Sequence, residues 1–373
     1  MNRFADLARA GVGGLAVYEP GRPIEEVARD IGLNPLDIIK LASNENELGP
    51  SPKAMDAMRR TASEMHRYPD GGAFRLRAAL AESLRVETDQ ILPGNGSNEL
   101  IELLGNVFLE PGRDIVMADR AFVVYRLVAA MRGAGVLEVP MPNLVHDLPA
   151  MRAAVTRDTR IVFIANPNNP TGTMVDGAEI DSFMDGIPDH LVVCFDEAYI
   201  ELIPPERQPD VLKYVRQGRN VVCLRTFSKT YGLAGLRIGY AVAPASCIEL
   251  LNRVRQPFNV NSMALAAAEA ALDDEEHVAR TRAMVEQGLR QIEKGLAKRG
   301  IAFVPSVANF MLVKTGSGRD MFSRLLKECV IVRPMDGYGL PDYVRVTVGT
   351  AAENRRFLAS LDRVLTGGFG GKR

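Results

Sequence analysis

The sequence has almost no net charge and no long hydrophobic run. Its 45 basic and 46 acidic residues give a formal net charge of −1, so no overall field favours nucleic acid or an anionic membrane as a partner. The longest apolar runs, such as NVVCLRTF, have the length of a strand and fall short of the roughly 20 residues of a membrane span. The N-terminus has scattered charges rather than an apolar signal segment. We therefore expect a cytoplasmic protein that acts on small molecules.

Cysteine and histidine are scarce, with four of each. Cys194, Cys223, Cys247 and Cys329 form no CxxC pair, and the histidines form no HExxH motif. This pattern argues against a structural disulfide and against a metal site. We expect no metal ion, and reduced thiols of which two lie in buried strands.

Short apolar runs alternate with helical patterns from about residue 75. Runs such as RDIVMAD, RIVFIANP and LVVCFDEAY lack strict alternation of polar and apolar residues, which is typical of strands covered on both faces. The intervening helices would supply the crossovers of a mostly parallel sheet, so we predict a large α/β domain. After Pro257 a long amphipathic helical segment begins, with a break near LDDEE. Beyond it, FVPSVANFMLVK, VIVRPM and YVRVTVG predict the strands of a smaller domain.

These patterns divide the chain into five parts. We predict an N-terminal arm with part of the small domain at 1–45, a large domain at 46–260, a helical connection at 261–290, a small C-terminal domain at 291–366 and a glycine-rich, disordered tail at 367–373.

The segment LPGNGSNELIELLGNVF combines a glycine-rich turn with an amphipathic helix. Ser97 or Asn98 is the predicted N-cap, and the free backbone N–H groups there, with the helix dipole, would form a phosphate cradle. The segment lacks the third glycine of GxGxxG and the lysine of a P-loop, which argues against a dinucleotide or ATP. Taken alone, such a segment is more often an ordinary capped helix.

Further polar side chains follow the runs that predict strands. The loop ANPNNPTG presents Asn168 and Asn169 at a strand's carboxyl end, where open α/β sheets bind ligands. Asp196 ends another buried run, where its charge needs a fixed partner, either a protonated ring nitrogen or a neighbouring arginine. In TFSKTYGLAGLR, Lys229 stands among hydroxyls and glycines, and Arg237 is the next cation.

Together these blocks resemble the fold-type I pyridoxal-phosphate (PLP) aminotransferases. KLASNENELGPSP, RYPDGG, NPNNPTG, DEAYIEL, RTFSKTYGLAGLRIGY, VANFMLV and VRVTVGT are similar to blocks of that family, over nearly the whole chain. Within the family they are most similar to the histidinol-phosphate aminotransferases. The resemblance implies a large PLP-binding domain with a mostly parallel seven-stranded sheet between helices, and a smaller α/β C-terminal domain.

The resemblance also implies how the cofactor is held. It makes Lys229 the catalytic residue, which bonds covalently to PLP and moves a proton, and this requires an amine with a lowered pKa. Asp196 would hold the pyridinium nitrogen, and Tyr199 with Asn169 the ring oxygen. Phe122 would stack on the ring, unless it only packs in the core. The residues implied at the phosphate are Gly96, Ser97, Asn98, Thr226, Ser228 and Arg237.

The remaining implied roles concern the substrate and a second subunit. Tyr68 matches a tyrosine that reaches the cofactor phosphate of the neighbouring subunit, which implies a homodimer with shared active sites. Arg333 and Arg345 match positions that bind the substrate's anionic group, although an arginine on an edge strand is commonly a salt-bridge partner. Tyr18 matches a further contact to that group from the lid side, and Asn169 also faces the substrate.

The implied activity is the exchange of an amino group between L-histidinol phosphate and 2-oxoglutarate, giving imidazole acetol phosphate and glutamate, in histidine biosynthesis. A broad or aromatic amino-acid aminotransferase with the same machinery stays open, as does a PLP lyase such as a phosphothreonine decarboxylase. A transcription regulator with an aminotransferase-like domain would need an added DNA-binding domain, for which the roughly 40 residues before KLASNEN are too few.

Overall fold

The computed structural model describes residues 3–9, 12–15, 24–32 and 34–367. The strands in this part of the chain are β1 Ile39–Lys40, β2 Ile91–Gly94, β3 Asp114–Ala118, β4 Gly135–Val139, β5 Thr159–Ala165, β6 Val192–Asp196, β7 Val221–Thr226, β8 Gly239–Val242, β9 Phe303–Val304, β10 Phe310–Lys314, β11 Val330–Ile331, β12 Arg333–Pro334 and β13 Tyr343–Thr347. The α-helices are α1 Arg3–Leu7, α2 Ile24–Ile31, α3 Pro52–Thr61, α4 Phe74–Leu84, α5 Gly96–Phe108, α6 Val124–Arg132, α7 Leu148–Ala153, α8 Gly177–Asp185, α9 Leu212–Arg216, α10 Ala245–Val254, α11 Ser262–Leu272, α12 Glu275–Lys298, α13 Gly318–Lys327 and α14 Ala351–Leu365.

The central sheet of the described chain has seven strands in the order β2-β8-β7-β6-β5-β3-β4. β8 runs antiparallel to both of its neighbours, β2 and β7, and the other neighbouring pairs are parallel. The predicted seven-stranded, mostly parallel sheet is therefore confirmed. Because parallel strands end at the same edge, the loops after β3, β5, β6 and β7 converge there, together with the turn that follows β2.

Hydrophobic cores cover both faces of this sheet. Phe195 and Cys223 belong to one core, whereas Cys194 and Leu224, their neighbours in sequence, belong to the other. Successive strand residues point to opposite faces, so each strand must be apolar on both sides. This explains why the runs that predicted strands show no alternation, and it places the two buried cysteines as predicted.

A second set of strands lies in the C-terminal part of the chain. β12, β13, β10 and β9 form an antiparallel sheet in that order, and β1 pairs in parallel with β11. The pairing of β1 joins the segment around Ile39 to these late strands. A separate core, which includes Leu41, Phe310 and residues of α12 and α14, packs beside this sheet.

The long helical segment is broken close to where the sequence predicted. α11 ends at Leu272 and α12 begins at Glu275, and the side chain of Asp274 caps α12 by accepting a hydrogen bond from the backbone N–H of His277. The proposed domain limits stay a prediction, and residues 368–373 of the predicted tail lie outside the described residues. In the part of the chain that the structure covers, no helix has both the length and the apolar character to cross a membrane.

A buried ion pair joins the carboxyl ends of β6 and β7. Arg225 donates to Oε2 of Glu197 through Nε at 2.9 Å and Nη2 at 2.8 Å, and the two side chains are only 12% and 2% exposed. The Sγ of Cys223 donates to the same oxygen at 2.9 Å. Glu197 and Arg225 follow Asp196 and precede Thr226, respectively, so the ion pair fixes two strand ends that carry predicted site residues.

We expect Arg225→Met to destabilise the protein by about 3 kcal/mol or more, because it leaves the Glu197 carboxylate buried without its cation. Arg253→Met is the matched control, since Arg253 pairs with Glu249 on an exposed helix face where both side chains are 67% exposed. That change should cost less than about 1 kcal/mol. Equilibrium denaturant unfolding measures both values, and an equally small effect of the two substitutions would show that the buried pair adds no stability.

Candidate active site

A cavity of about 400 Å³ lies at the carboxyl edge of the central sheet and extends toward β12 and β13. It brings together most of the residues that the sequence singled out. The predicted residues that line it are Ser97, Asn98, Phe122, Asn169, Asp196, Tyr199, Thr226, Ser228, Lys229, Arg237, Arg333 and Arg345.

Lys229 lies in the loop that follows β7. Its Nζ donates to the main-chain oxygens of Ser43 at 3.3 Å and Asn44 at 3.1 Å. Burial, followed by the positive charges of Arg345 and Arg237, lowers the pKa of Lys229 to about 8, against the opposing effects of Glu45 and Asp196. The amine can therefore lose its proton near neutral pH.

Asp196 ends β6 and is buried, with 5% of its surface exposed. The hydroxyl of Tyr125 donates to Oδ2 at 2.6 Å, and the N–H of Ala198 donates to Oδ1 at 3.3 Å. Burial raises the pKa of Asp196 to about 6, although these hydrogen bonds act in the opposite direction. Arg225 pairs with Glu197 instead, and no basic side chain among the described residues forms an ion pair with Asp196. Of its two predicted partners, a neighbouring arginine is thus excluded within the described chain.

The N-terminus of α5 differs in one respect from the prediction. Ser97 and Asn98 are not the N-cap, because the helix begins at Gly96 and Asn95 precedes it as the cap residue. Gly96 has a φ of +74°, a conformation that glycine adopts without strain, and the chain enters the helix two or three residues earlier than predicted. Ser97 and Asn98 therefore stand in the first turn, where backbone N–H groups have no partner within the helix.

The first turn of α5 forms an open cradle beside Arg237. A Cβ on Gly96 would lie 2.6 Å from Nη2 of Arg237, and a Cβ on Gly239 in β8 would lie 2.8 Å from the backbone nitrogen of Ser97. Both glycines thus leave room for a guanidinium and a helix N-terminus to meet at one point. Two positive groups converge there, which makes the point suited to an anion.

The hydroxyls of Thr226 and Ser228 lie on the same wall of the cavity, and both residues are buried. The hydroxyl of Thr226 accepts a hydrogen bond from the backbone N–H of Ser228 at 3.1 Å and donates to the main-chain oxygen of Ile238 at 3.3 Å. These contacts hold the chain in a tight turn between β7 and Lys229.

Asn168 and Asn169 have different tasks in the loop after β5. The amide of Asn168 is buried and donates to the main-chain oxygen of Arg120 at 3.0 Å and to Oγ1 of Thr171 at 2.9 Å, so it holds the loop in shape. Asn169 faces the cavity, and its Oδ1 accepts a hydrogen bond from Nη1 of Arg345 at 2.6 Å. The two prolines and Asn168 therefore present Asn169 on a rigid loop.

Arg333 and Arg345 stand directly opposite each other on the antiparallel strands β12 and β13. Arg345 is 8% exposed, donates through Nη2 to the main-chain oxygen of Ala42 at 3.0 Å, and lies 5.3 Å from the centroid of the Phe310 ring. Both arginines line the cavity and bring two guanidinium groups to one wall of it, which suits that wall to an anion.

Two residues of the site were missed by the sequence reasoning. Tyr125, which bonds to Asp196, lies in a helix among apolar residues and gave no polar signal. Asn44 donates from Nδ2 to the hydroxyl of Tyr199 at 3.0 Å, and burial raises the pKa of Tyr199 to about 12. Asn309 in turn donates to the main-chain oxygen of Asn44 at 3.0 Å. Asn44 and Asn309 fall within the blocks KLASNEN and VANFMLV, and their place in these blocks is the sequence feature that could have identified them.

Of the remaining predicted residues, one lines the cavity, one lies outside it and one is outside the described chain. Phe122 lines the cavity and meets the ring of Tyr125 edge to face, with 5.8 Å between centroids. Tyr68 lies outside the cavity: it is 83% exposed, and its ring stacks on Phe258 at 4.8 Å. Tyr18 lies outside the described residues.

The chain and its fold have relatives among known proteins. The chain matches the family model described as aminotransferase class I and II over residues 36–361, and it belongs to this family. A protein of Akkermansia muciniphila named histidinol-phosphate aminotransferase is 51% identical over 352 residues, which cover 94% of this chain and 96% of that protein. One of Pseudomonas fluorescens, named histidinol-phosphate aminotransferase 2, is 49% identical over 366 residues, which cover 98% and 99%.

Solved structures show the same relationship. The histidinol-phosphate aminotransferase of Sinorhizobium meliloti in complex with pyridoxal-5'-phosphate is similar with a TM-score of 0.87 and 27% identity, over 96% of this chain and 97% of that one. The aspartate aminotransferase of Thermus thermophilus with maleate, at 22% identity and a TM-score of 0.83 over 96% and 99% of the two chains, shares the fold. The fold-type I architecture predicted from the sequence blocks is therefore confirmed.

Replacing Lys229 by Met should stabilise the cofactor-free protein at neutral pH. The pKa of Lys229 is about 8 in the folded chain and about 10.4 in an unfolded one, so the unfolded state binds the proton more tightly. The penalty is full below the folded pKa and vanishes as the pH rises through the window between the two values. After allowance for partial exposure, we expect a difference of about 2 kcal/mol at neutral pH.

Denaturant unfolding of wild type and variant across that pH window measures the difference. Lys294→Met, which removes an exposed lysine of α12, is the control and should follow the wild type at every pH. A constant offset between Lys229→Met and wild type over the whole window would contradict the lowered pKa.

Proposed function

We propose that this protein transfers an amino group between L-histidinol phosphate and 2-oxoglutarate with PLP as its cofactor, a step of histidine biosynthesis. One observation carries the proposal: a single cavity holds a lysine of lowered pKa and a buried carboxylate at the sheet edge, and two opposed arginines on its far wall. The relatives at about 50% identity, named histidinol-phosphate aminotransferase over nearly their full length, support it.

The residues present fit the phosphate of PLP. The first-turn N–H groups of Ser97 and Asn98 offer donors together with the positive end of the helix dipole. Arg237 adds a guanidinium directly beside Gly96, where a larger residue would collide with it. The hydroxyls of Thr226 and Ser228 complete the set that we assign to the phosphate.

The fit at the ring depends on Asp196. Burial without a cationic partner in the described chain raises the pKa of its carboxyl, and a protonated ring nitrogen is the cation that would restore the charged form. Tyr125 holds the carboxylate in place through its hydroxyl. We assign the ring oxygen to Tyr199 and Asn169, and one face of the ring to Phe122. When bound, PLP supplies an electron sink that stabilises negative charge at the substrate's Cα.

Lys229 is the residue that we assign to the covalent bond with the cofactor and to the proton at Cα. Both tasks need an amine that is neutral near pH 7, and burial with nearby arginines moves its pKa in that direction. The main-chain oxygens of Ser43 and Asn44 hold Nζ at the cavity wall. Asn44 also donates to the hydroxyl of Tyr199, so the segment around Asn44 positions both the amine of Lys229 and the hydroxyl of Tyr199.

The arginine pair is the anion site that we assign to the substrates. Arg345 is already oriented by Asn169 and by the main-chain oxygen of Ala42, so it needs little rearrangement to bind the α-carboxylate of glutamate or the phosphate of histidinol phosphate. Arg333 adds a second cation, from which a phosphate dianion gains more than a carboxylate. A broad or aromatic amino-acid aminotransferase would share Lys229 and Asp196, so the two candidate functions differ in what Arg333 binds.

The substrate assignment predicts unequal effects of the two arginines. Arg345→Ala should lower kcat/KM for both glutamate and histidinol phosphate by roughly ten- to a hundredfold, because each anion loses a charge-assisted hydrogen bond. Arg333→Ala should lower kcat/KM for histidinol phosphate more than for glutamate. Separate measurement of the two half-reactions by absorbance gives these values, with Arg253→Ala, a surface change, as control. Equal losses in Arg333→Ala, or faster reaction of the wild type with phenylalanine than with histidinol phosphate, would favour the broad amino-acid reading.

We also propose that the active sites are completed in a homodimer. Tyr68 cannot act in the cavity of its own chain, because it is exposed and stacks on Phe258 outside it. An exposed stack of two aromatic rings is a feature that a second copy would bury. On the resemblance of the block RYPDGG, which this exposed position supports, we assign Tyr68 to the cofactor phosphate of the neighbouring subunit. A cytoplasmic location stays a prediction from the sequence.

Mixed dimers test the shared site. Lys229→Ala chains should be inactive, and Tyr68→Ala chains strongly impaired; mixing them after reversible dissociation should restore activity, because a mixed dimer contains one site with both residues intact. Either variant refolded alone is the control. Full activity of a species that sediments as a monomer would contradict the shared site.

A further inference from the structure

We infer that Glu99 and Asn259 are positioning residues that hold the first turn of α5 and so set the affinity of the anion cradle for phosphate. The inference rests on the proposed role of that cradle in binding PLP. It concerns two residues that are not among those assigned to the cofactor, and neither lines the cavity.

The N-terminus of α5 is held by an acidic side chain inside the helix rather than by the side chain of the cap residue. Asn95 is the cap residue, yet its side chain makes no capping hydrogen bond. Instead the backbone N–H of Asn95 donates to Oε2 of Glu99 at 2.5 Å, from four residues further along the chain. The carboxylate of Glu99 thus ties down the turn that leads into the cradle.

Asn259 fixes Glu99 from a distant part of the chain. Its Nδ2 donates to the same Oε2 at 2.6 Å, and its Oδ1 accepts a hydrogen bond from Nη1 of Arg255 at 2.7 Å. Because Arg255 can only donate, the amide of Asn259 must turn its own donor toward Glu99. A relay of three contacts therefore runs from the segment between α10 and α11 to the first turn of α5.

The charge of Glu99 and its position have opposite effects on an anion in the cradle. As a carboxylate close to the helix N-terminus, Glu99 repels a phosphate bound there. As an acceptor, it orders Asn95 and hence the adjacent N–H groups of Ser97 and Asn98, which lowers the entropy lost when a phosphate binds. Different substitutions of Glu99 separate the two effects.

Equilibrium binding of PLP to the cofactor-free protein, followed by absorbance, measures them. Glu99→Gln keeps an oxygen that can accept from both Asn95 and Asn259 but removes the charge, so PLP should bind as tightly as to wild type or more tightly. Glu99→Ala removes the acceptor as well as the charge, so PLP should bind roughly tenfold more weakly than to Glu99→Gln, the effect of one lost hydrogen bond that orders the cradle. Glu102→Gln and Glu102→Ala, at an exposed position of the same helix, are the controls and should leave binding unchanged.

A charge exchange at Asn259 provides a second test. Asn259→Asp keeps the shape but places a carboxylate against Glu99, which should expel Glu99 and weaken PLP binding by at least roughly tenfold. The double variant Glu99→Gln with Asn259→Asp should recover most of the affinity, because the Gln amide can donate to Asp and its oxygen can still accept from Asn95. Thermal unfolding of each cofactor-free variant shows whether a loss of affinity comes from a loss of folding, which the double variant would not repair.

The outcomes separate this inference from the proposed function. A wild-type protein that does not bind PLP would contradict the proposed function. If the wild type binds PLP but Glu99→Ala binds it as well as Glu99→Gln does or better, or if the double variant is as weak as Asn259→Asp, the positioning role is wrong. Loss in Glu99→Ala, retention in Glu99→Gln and rescue in the double variant would together establish it.

Discussion

A carboxylate buried at the end of a strand is the constraint around which this active site is arranged. Asp196 has 5% of its surface exposed and no cationic partner in the described chain, and a buried charge in that state is unfavourable unless a ligand compensates it. The hydroxyl of Tyr125 and one backbone N–H hold it in a single orientation. The fold thus maintains an unfavourable charge at a fixed point, which suits Asp196 to the role that we propose for it, the binding of the protonated ring nitrogen of PLP.

Contacts on the opposite face of the sheet help to hold Asp196 in position. Glu197 and Arg225 are the sequence neighbours of Asp196 and Thr226, and their ion pair ties β6 to β7 beneath the cavity. Lys229 follows three residues after Thr226, in a turn closed by the hydroxyl of Thr226. Strand pairing and a buried ion pair therefore help to set the distance between the carboxylate and the lysine, together with the hydrogen bonds that hold each side chain in the cavity.

Much of this arrangement could be predicted because buried parallel strands have a plain signature. Apolar runs covered on both faces predicted β3 to β8, and the polar residues that follow them, Asn169, Asp196 and Lys229, could only meet at the carboxyl edge. Features that depend on local backbone conformation, or on pairing between strands far apart in the chain, could not be predicted from the sequence. The cap residue of α5 is Asn95 rather than Ser97 or Asn98 because Gly96 has a positive φ, and the sequence alone does not show that backbone angle. β1, a strand of two residues, was missed because it has too few residues to show a period.

Lys229 and the arginine pair belong to different sheets. Lys229 follows β7 of the central sheet, whereas Arg333 and Arg345 lie in the antiparallel sheet of the C-terminal part. Each sheet packs on its own hydrophobic core. In the function that we propose, the distance between Lys229 and the arginine pair limits the length of the substrate between its amino-bearing carbon and its anionic group. That distance depends on how the two cores pack against each other, so residues that never contact a substrate influence which substrate fits.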